Sequence, residues 1–156
     1  MHFEITIIIA ISIIVVSTFL SFYILNRKRE AAQTFIESAL LENIPTNGVE
    51  IPILQAYSGF KAFAPITFNG NNFNPKLVLY SDHFEYQVLF KKCAFYSDIE
   101  SIRNHKSRFF NTLQIKFNNS AIFYKAVFGN PEVLQKVVDF FAERGIYPDE
   151  KSRSYL

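Results

Sequence analysis

The side chains able to do chemistry in this chain are few and scattered. Its three histidines, His2, His83 and His105, have no partner three or four residues on that would complete a helical metal or acid–base pair. Its one cysteine, Cys93, cannot form an intramolecular disulfide. It lies in an apolar, strand-like run, where a thiol is expected to act as a small core residue rather than a nucleophile. Asp98 and Glu100 could form an acid–base pair only with a histidine, hydroxyl or metal pattern beside them, and none is there. The phosphate loop, dinucleotide fingerprint, nucleophile elbow and zinc-ligand spacing are all missing. The expected protein is therefore not an enzyme, and no cofactor or metal is expected.

Two other groups could make contacts. Lys91, Lys92, Arg103, Lys106 and Arg108 fall near the two ends of one expected strand. They are candidates for contact with an anionic surface, or else a solvated rim. Phenylalanine is abundant, 18 of 156 residues. Phe60, Phe63, Phe68, Phe73, Phe109 and Phe110 exceed what one small core can bury if strand faces alternate, and adjacent residues such as Phe109 and Phe110 point to opposite faces. Phe60, Phe63, Phe73 and Phe109 are therefore the candidate partner surface.

The element that places all of these is the stretch Ile5 to Leu25, which carries no charge, no proline and no glycine. An apolar run of about 20 residues is what a helix needs to cross the hydrocarbon layer. A cleaved signal peptide would carry its basic residues before a shorter run. Here Arg27, Lys28 and Arg29 follow it, so residues 1–26 are expected to be a retained signal anchor. The three cations are topology determinants. They place the N-terminus outside and the C-terminal domain on the cytoplasmic face of the cell (inner or plasma) membrane. Setting aside Glu4 and that trio takes the chain's 16 basic and 14 acidic residues to 13 of each. The basic bias is thus local to the membrane edge, which argues against a nucleic-acid partner.

Residues 27–44 continue as a juxtamembrane helix rich in helix formers. Its stripe of Phe35, Ile36, Ala39, Leu40 and Ile44 could dock on the domain or pair with a second copy as a homo-oligomer. Pro45 and Asn47-Gly48 then break the helix. From Val49 the apolar period becomes that of strands. The expected strands are Val49–Ser58, Phe60–Phe68, Lys76–Ser81, Phe84–Phe90, Cys93 onward through Ile102, Phe110–Phe117 and Ala121–Phe128. Turns are expected at Ser58-Gly59, Lys91-Lys92 and Arg103–Arg108, and a polar loop at Asn69–Pro75. Asn118-Asn119-Ser120 reads as a hairpin turn. Asn130 as N-cap and Pro131 at the first position start a helix. Val133, Leu134, Val137, Val138, Phe140 and Phe141 form its apolar face, and Gly145 ends it. The charged tail 147–156 is expected to be mobile.

The fold class expected is α+β. An N-terminal transmembrane helix precedes an antiparallel barrel or sandwich of about seven strands over residues 45–146, capped by a C-terminal helix. Several pieces of this layout resemble the bacterial pleckstrin-homology-like (PH-like) domain family. They are Leu77-Val78-Leu79-Tyr80 followed by Asp82-His83-Phe84-Glu85-Tyr86, and above all Phe95-Tyr96-Ser97-Asp98-Ile99-Glu100-Ser101-Ile102, which is similar to a recurring segment of those domains. The later strands and final helix complete the pattern. The resemblance implies a fold that hosts lipid, peptide and protein ligands alike. Phosphoinositide-binding members place several cations on the first two strands, where this chain has Lys61 beside Ser58-Gly59-Phe60. The reading that results is a membrane-anchored protein-docking or scaffolding module, with peripheral anionic-lipid binding or membrane sensing as the alternative.

Overall fold

Asn26 to Gln33 contains no helix breaker, and the helix begun in the apolar run does not stop there. In the computed structural model α1 runs unbroken from His2 to Glu37. The structure describes residues 2–37, 41, 44–63, 67–71, 74–107 and 111–149. The helix is long and apolar enough to cross a membrane. Consecutive large side chains Ile13, Ile14, Val15 and Val16, then Phe19, Leu20, Phe22 and Tyr23, are all exposed. A core helix would bury one face; exposure on every side is what a membrane-associated apolar helix shows. Three turns later the environment changes, and Ala32 and Phe35 are buried in the domain core with Ile36 packed against it. The juxtamembrane stripe thus docks on its own domain at these positions. Ala39, Leu40 and the helix end expected near residue 44 fall partly outside the described residues, but Leu41 already lies in a turn.

Among the described residues there are nine strands, not seven. They are β1 (Val49–Glu50), β2 (Gln55–Phe60), β3 (Thr67–Asn71), β4 (Lys76–Leu79), β5 (His83–Gln87), β6 (Lys91–Phe95), β7 (Ile99–Lys106), β8 (Asn111–Phe117) and β9 (Ile122–Phe128). Two antiparallel sheets result, ordered β1-β4-β5-β6 and β3-β2-β9-β8-β7. The higher count comes from two corners. Pro52 lacks an N–H and cannot continue a ladder. The chain therefore leaves β1 there and changes sheets: Ile51 N–H donates to Leu77 O at 2.8 Å, and Leu54 N–H to Val127 O at 2.8 Å. The second corner is the tight helical turn Tyr96–Asp98 between β6 and β7. Asp98 caps it by accepting from Phe95 N–H at 3.1 Å.

Other boundaries moved for local reasons. Ser58-Gly59 does not turn; β2 runs through it, with a register shift against β3. Lys61–Phe63 is a short helical turn, and the next strand is Thr67–Asn71, which joins the last two residues of the expected strand to the first three of the expected polar loop. Arg103 to Lys106 is strand rather than turn, paired with β8 down to Lys106↔Asn111. Polar side chains on an exposed edge strand look like a turn in sequence. The tail is also less free than expected. Pro148 bridges Ile102, and Asp149 N–H donates to Ile102 O at 2.9 Å.

The final helix matches its sequence signals. α2 (Pro131–Ala142) buries Val133, Leu134, Val137, Val138, Phe140 and Phe141. Asn130 accepts from Glu132 N–H at 2.7 Å. Gly145, at φ 77°, turns the chain back so that Ile146 N–H reaches Phe141 O at 3.0 Å. The core centre is aromatic. Phe84 stacks on Tyr96 at 5.7 Å and meets Phe141 edge-on at 6.1 Å. Phe84→Ala is expected to cost about 3–5 kcal/mol of domain stability, read as a fall in the denaturation midpoint of the micelle-bound protein. A cost under about 1 kcal/mol would remove Phe84 from the centre of the core.

Candidate functional site around the β5–β6 hairpin

Strand alternation divides the side chains of β5. Phe84 and Tyr86 go to the aromatic core, while His83 and Glu85 share the outer face with their cross-strand partners Phe95 and Cys93. Glu85 is the centre of a small polar array. It accepts from Lys91 Nζ at 2.7 Å and from the Tyr80 hydroxyl at 3.1 Å. The bond from Lys91 holds its carboxyl below the usual glutamate range against the opposing effect of burial, and Tyr80 adds a smaller contribution in the same direction. The Tyr80 ring stacks on His83, centroids 4.4 Å apart, and His83 Nδ1 lies 2.7 Å from Asp82 Oδ1. A carboxylate on a ring nitrogen orients an imidazole as catalytic bases are oriented. The thiol on the same face is not activated, because desolvation and then the charges of Glu85 and Asp82 push Cys93 upward. Cys93 itself is exposed, which corrects the expected core position: β6 points it outward, opposite Glu85.

The hairpin tip, Val88 to Phe90, carries no usual turn residue. Val88 is buried, but Leu89 is 56% and Phe90 78% exposed. Asn71 Nδ2 pins the tip by donating to Val88 O at 2.7 Å. Beneath it is a cleft of about 130 Å³ whose lining includes Ser58, Tyr86, Phe90, Lys92, Phe117 and Phe123. Its wall is firm, since Tyr86 and Phe117 stack at 5.4 Å. Beside it β6 ends its sheet and presents an edge. On the other sheet, the edge strand β7 instead receives Pro148 and Asp149.

The basic residues expected to act together are divided. Lys91 and Lys92 begin β6 in one sheet, and Arg103 and Lys106 lie on β7 in the other. Lys91 is paired with Glu85, Arg103 Nε with Asp149 at 2.8 Å, and Lys106 with Gln135. Arg108 lies outside the described residues. Of the expected aromatic surface, Phe60 is 47% exposed at the end of β2. Phe73, Phe109 and Phe110, and the side chains of Phe63 and Phe68, lie outside the described residues. Those of Ile5 and Leu25, the ends of the apolar run, do too. Arg27 and Arg29 are exposed, and Lys28 donates to Leu54 O at 3.0 Å. Lys61, the lone cation near the first turn, is bonded to Glu100 and to Phe117 O.

Leu89, Phe90 and Phe95, the last 54% exposed, were not singled out from sequence. Phe84–Phe90 reads as one strand because Val-Leu-Phe extends its apolar pattern. The reversal comes at Val88–Phe90, before the turn expected at Lys91-Lys92, which instead lie in β6 and pair with Gln87 and Tyr86. Among the described residues, no group of three or more His, Cys, Asp or Glu side chains could hold a metal ion. No protein-family model matches the chain, and no curated protein resembles it at a significant level.

The Glu85 array has a signed pH consequence. A carboxyl lowered on folding adds stability that is complete above its ordinary value of 4.5 and is lost as pH falls through the folded value. Glu85→Gln is expected to flatten the acid limb of thermal stability below that value. An unchanged acid limb would mean that the array is too solvated to matter.

Proposed function

We propose that this protein is a single-pass membrane-anchored docking module, a PH-like domain without catalytic activity held at the cytoplasmic face. The observation that carries this reading is the exposed Leu89-Phe90 tip over a firm-walled cleft, next to the edge of β6, which among the described residues pairs with β5 alone. Exposed apolar side chains beside an open strand edge are what an extended peptide uses: its backbone pairs with the edge and one side chain fills the pocket. Lys91 and Lys92 select a segment with acidic residues flanking that apolar anchor. The two antiparallel sheets with a C-terminal helix support the PH-like part of the proposal. The cytoplasmic placement is supported by Arg27, Lys28 and Arg29 directly after the apolar run.

A second reading has its own observation. The register Lys76↔Gln87 puts the hairpin tip at the Lys76 end of its sheet, and Lys76 shares a cleft with Tyr23 and Ile24 of α1. The tip would then face the bilayer, with Leu89 and Phe90 entering it and Lys91 and Lys92 at anionic headgroups. A photo-crosslinking residue at position 90, activated in native membranes, separates the two. Docking is expected to give adducts with protein, lost on adding excess of an acidic-flanked apolar peptide; adducts with lipid alone would establish the second reading. For the topology, protease added to intact spheroplasts is expected to leave the domain whole until lysis. Digestion before lysis would overturn the cytoplasmic placement.

A further inference from the structure

Where α1 meets the domain there is a second cleft, larger than the one under the hairpin and sharing no residue with it. Its volume is about 540 Å³. One wall is α1, with Tyr23, Arg27 and Lys28; the other is the end of β1 with Glu50, the corner with Pro52 and the start of β4 with Lys76. Pro52 is the reason the space exists, because the chain turns away from β4 there instead of continuing alongside it. Three cations and one acid line the cleft. Arg27 is exposed, Lys28 and Lys76 are half-buried, and Glu50 is exposed. Lys28 spends one donor on Leu54 O, and an ammonium has three.

Height decides what these cations meet. The apolar run ends at Leu25. At about 1.5 Å per residue, Arg27 and Lys28 stand about 3–5 Å beyond the hydrocarbon edge. The headgroup layer is about 5–7 Å thick on each side. The cleft therefore opens at the level of phospholipid phosphates, with Tyr23 and Ile24 below it beside the acyl chains. We infer that it is a seat for one anionic phospholipid of the adjoining leaflet. Its phosphate sits between Arg27, Lys28 and Lys76, and its chains run down α1 past Tyr23. This site is separate from the docking hairpin and survives if docking fails; it requires that α1 crosses the bilayer.

The test uses the full chain in nanodiscs made mostly of phosphatidylcholine with a minority of phosphatidylglycerol. Native mass spectrometry after release counts the lipids that stay bound. Retained lipid is expected to be enriched in phosphatidylglycerol, and Lys76→Gln should lower that enrichment by about fivefold, the effect of one cation at an anionic surface. Lys116→Gln on β8, equal in net charge and outside both clefts, should leave it unchanged. Glu50→Gln should raise it, an outcome that misfolding cannot produce. Equal retention of both lipids, or equal loss with Lys116→Gln, would overturn the proposal. So would displacement of the retained lipid by soluble glycerol phosphate, which would make the cleft a free-anion site.

Discussion

The rest of the structure depends on one helix serving two solvents. α1 is apolar on all sides for its first part and amphipathic for its last, with no break between them. Ala32 and Phe35 complete the hydrophobic core of the domain, and Lys136 of α2 donates to Ile36 O. The span is therefore not a flexible leash. A linker of polar residues would let the domain sample a volume above the membrane. A helix whose end is a core component would fix the domain at one height above a membrane that it crosses.

That constraint gives the domain a lower and an upper side. The corner at Pro52, the start of β4 and the β5–β6 tip lie toward the side where α1 leaves the apolar layer. α2 packs against the other end of the helix. The features with unsatisfied potential are concentrated accordingly: an exposed aromatic tip, an open strand edge and a cation-lined cleft. The interior carries the opposite character. Phe84, Tyr86, Tyr96, Phe117 and Phe141 form one connected aromatic cluster, and burial pushes the Tyr96 and Tyr124 hydroxyls well up from their ordinary range. This firm interior gives the surface features fixed positions.

Local signals were legible in the sequence where they were chemically strong. The apolar run, the whole buried face of α2, its Asn130-Pro131 start and its Gly145 end could all be read directly. So could the β8–β9 hairpin at Asn118-Asn119. The corners were harder, because Tyr96–Asp98 carries no glycine or proline and one apolar pattern runs through it. Pro52 signals an edge or a bulge in any strand, yet nothing local says that the chain changes sheets there. Arg103 to Lys106 was taken for a turn because an exposed edge strand can be as polar as a loop. The two clefts were not legible at all. Each joins residues far apart in the chain, such as Ser58 with Phe123, or Tyr23 with Lys76, and those meetings are set by the fold.

The continuity of α1 through Arg27, Lys28 and Arg29 is the most direct thing to measure. Amide hydrogen exchange of the full chain in a lipid nanodisc reports it residue by residue. If the span and the domain are one rigid piece, protection continues without a gap from the apolar run through Phe35. Rapid exchange confined to residues 26–31, between two protected stretches, would contradict it: the anchor would then be a hinge-linked tether, and the domain would have no fixed height above the membrane.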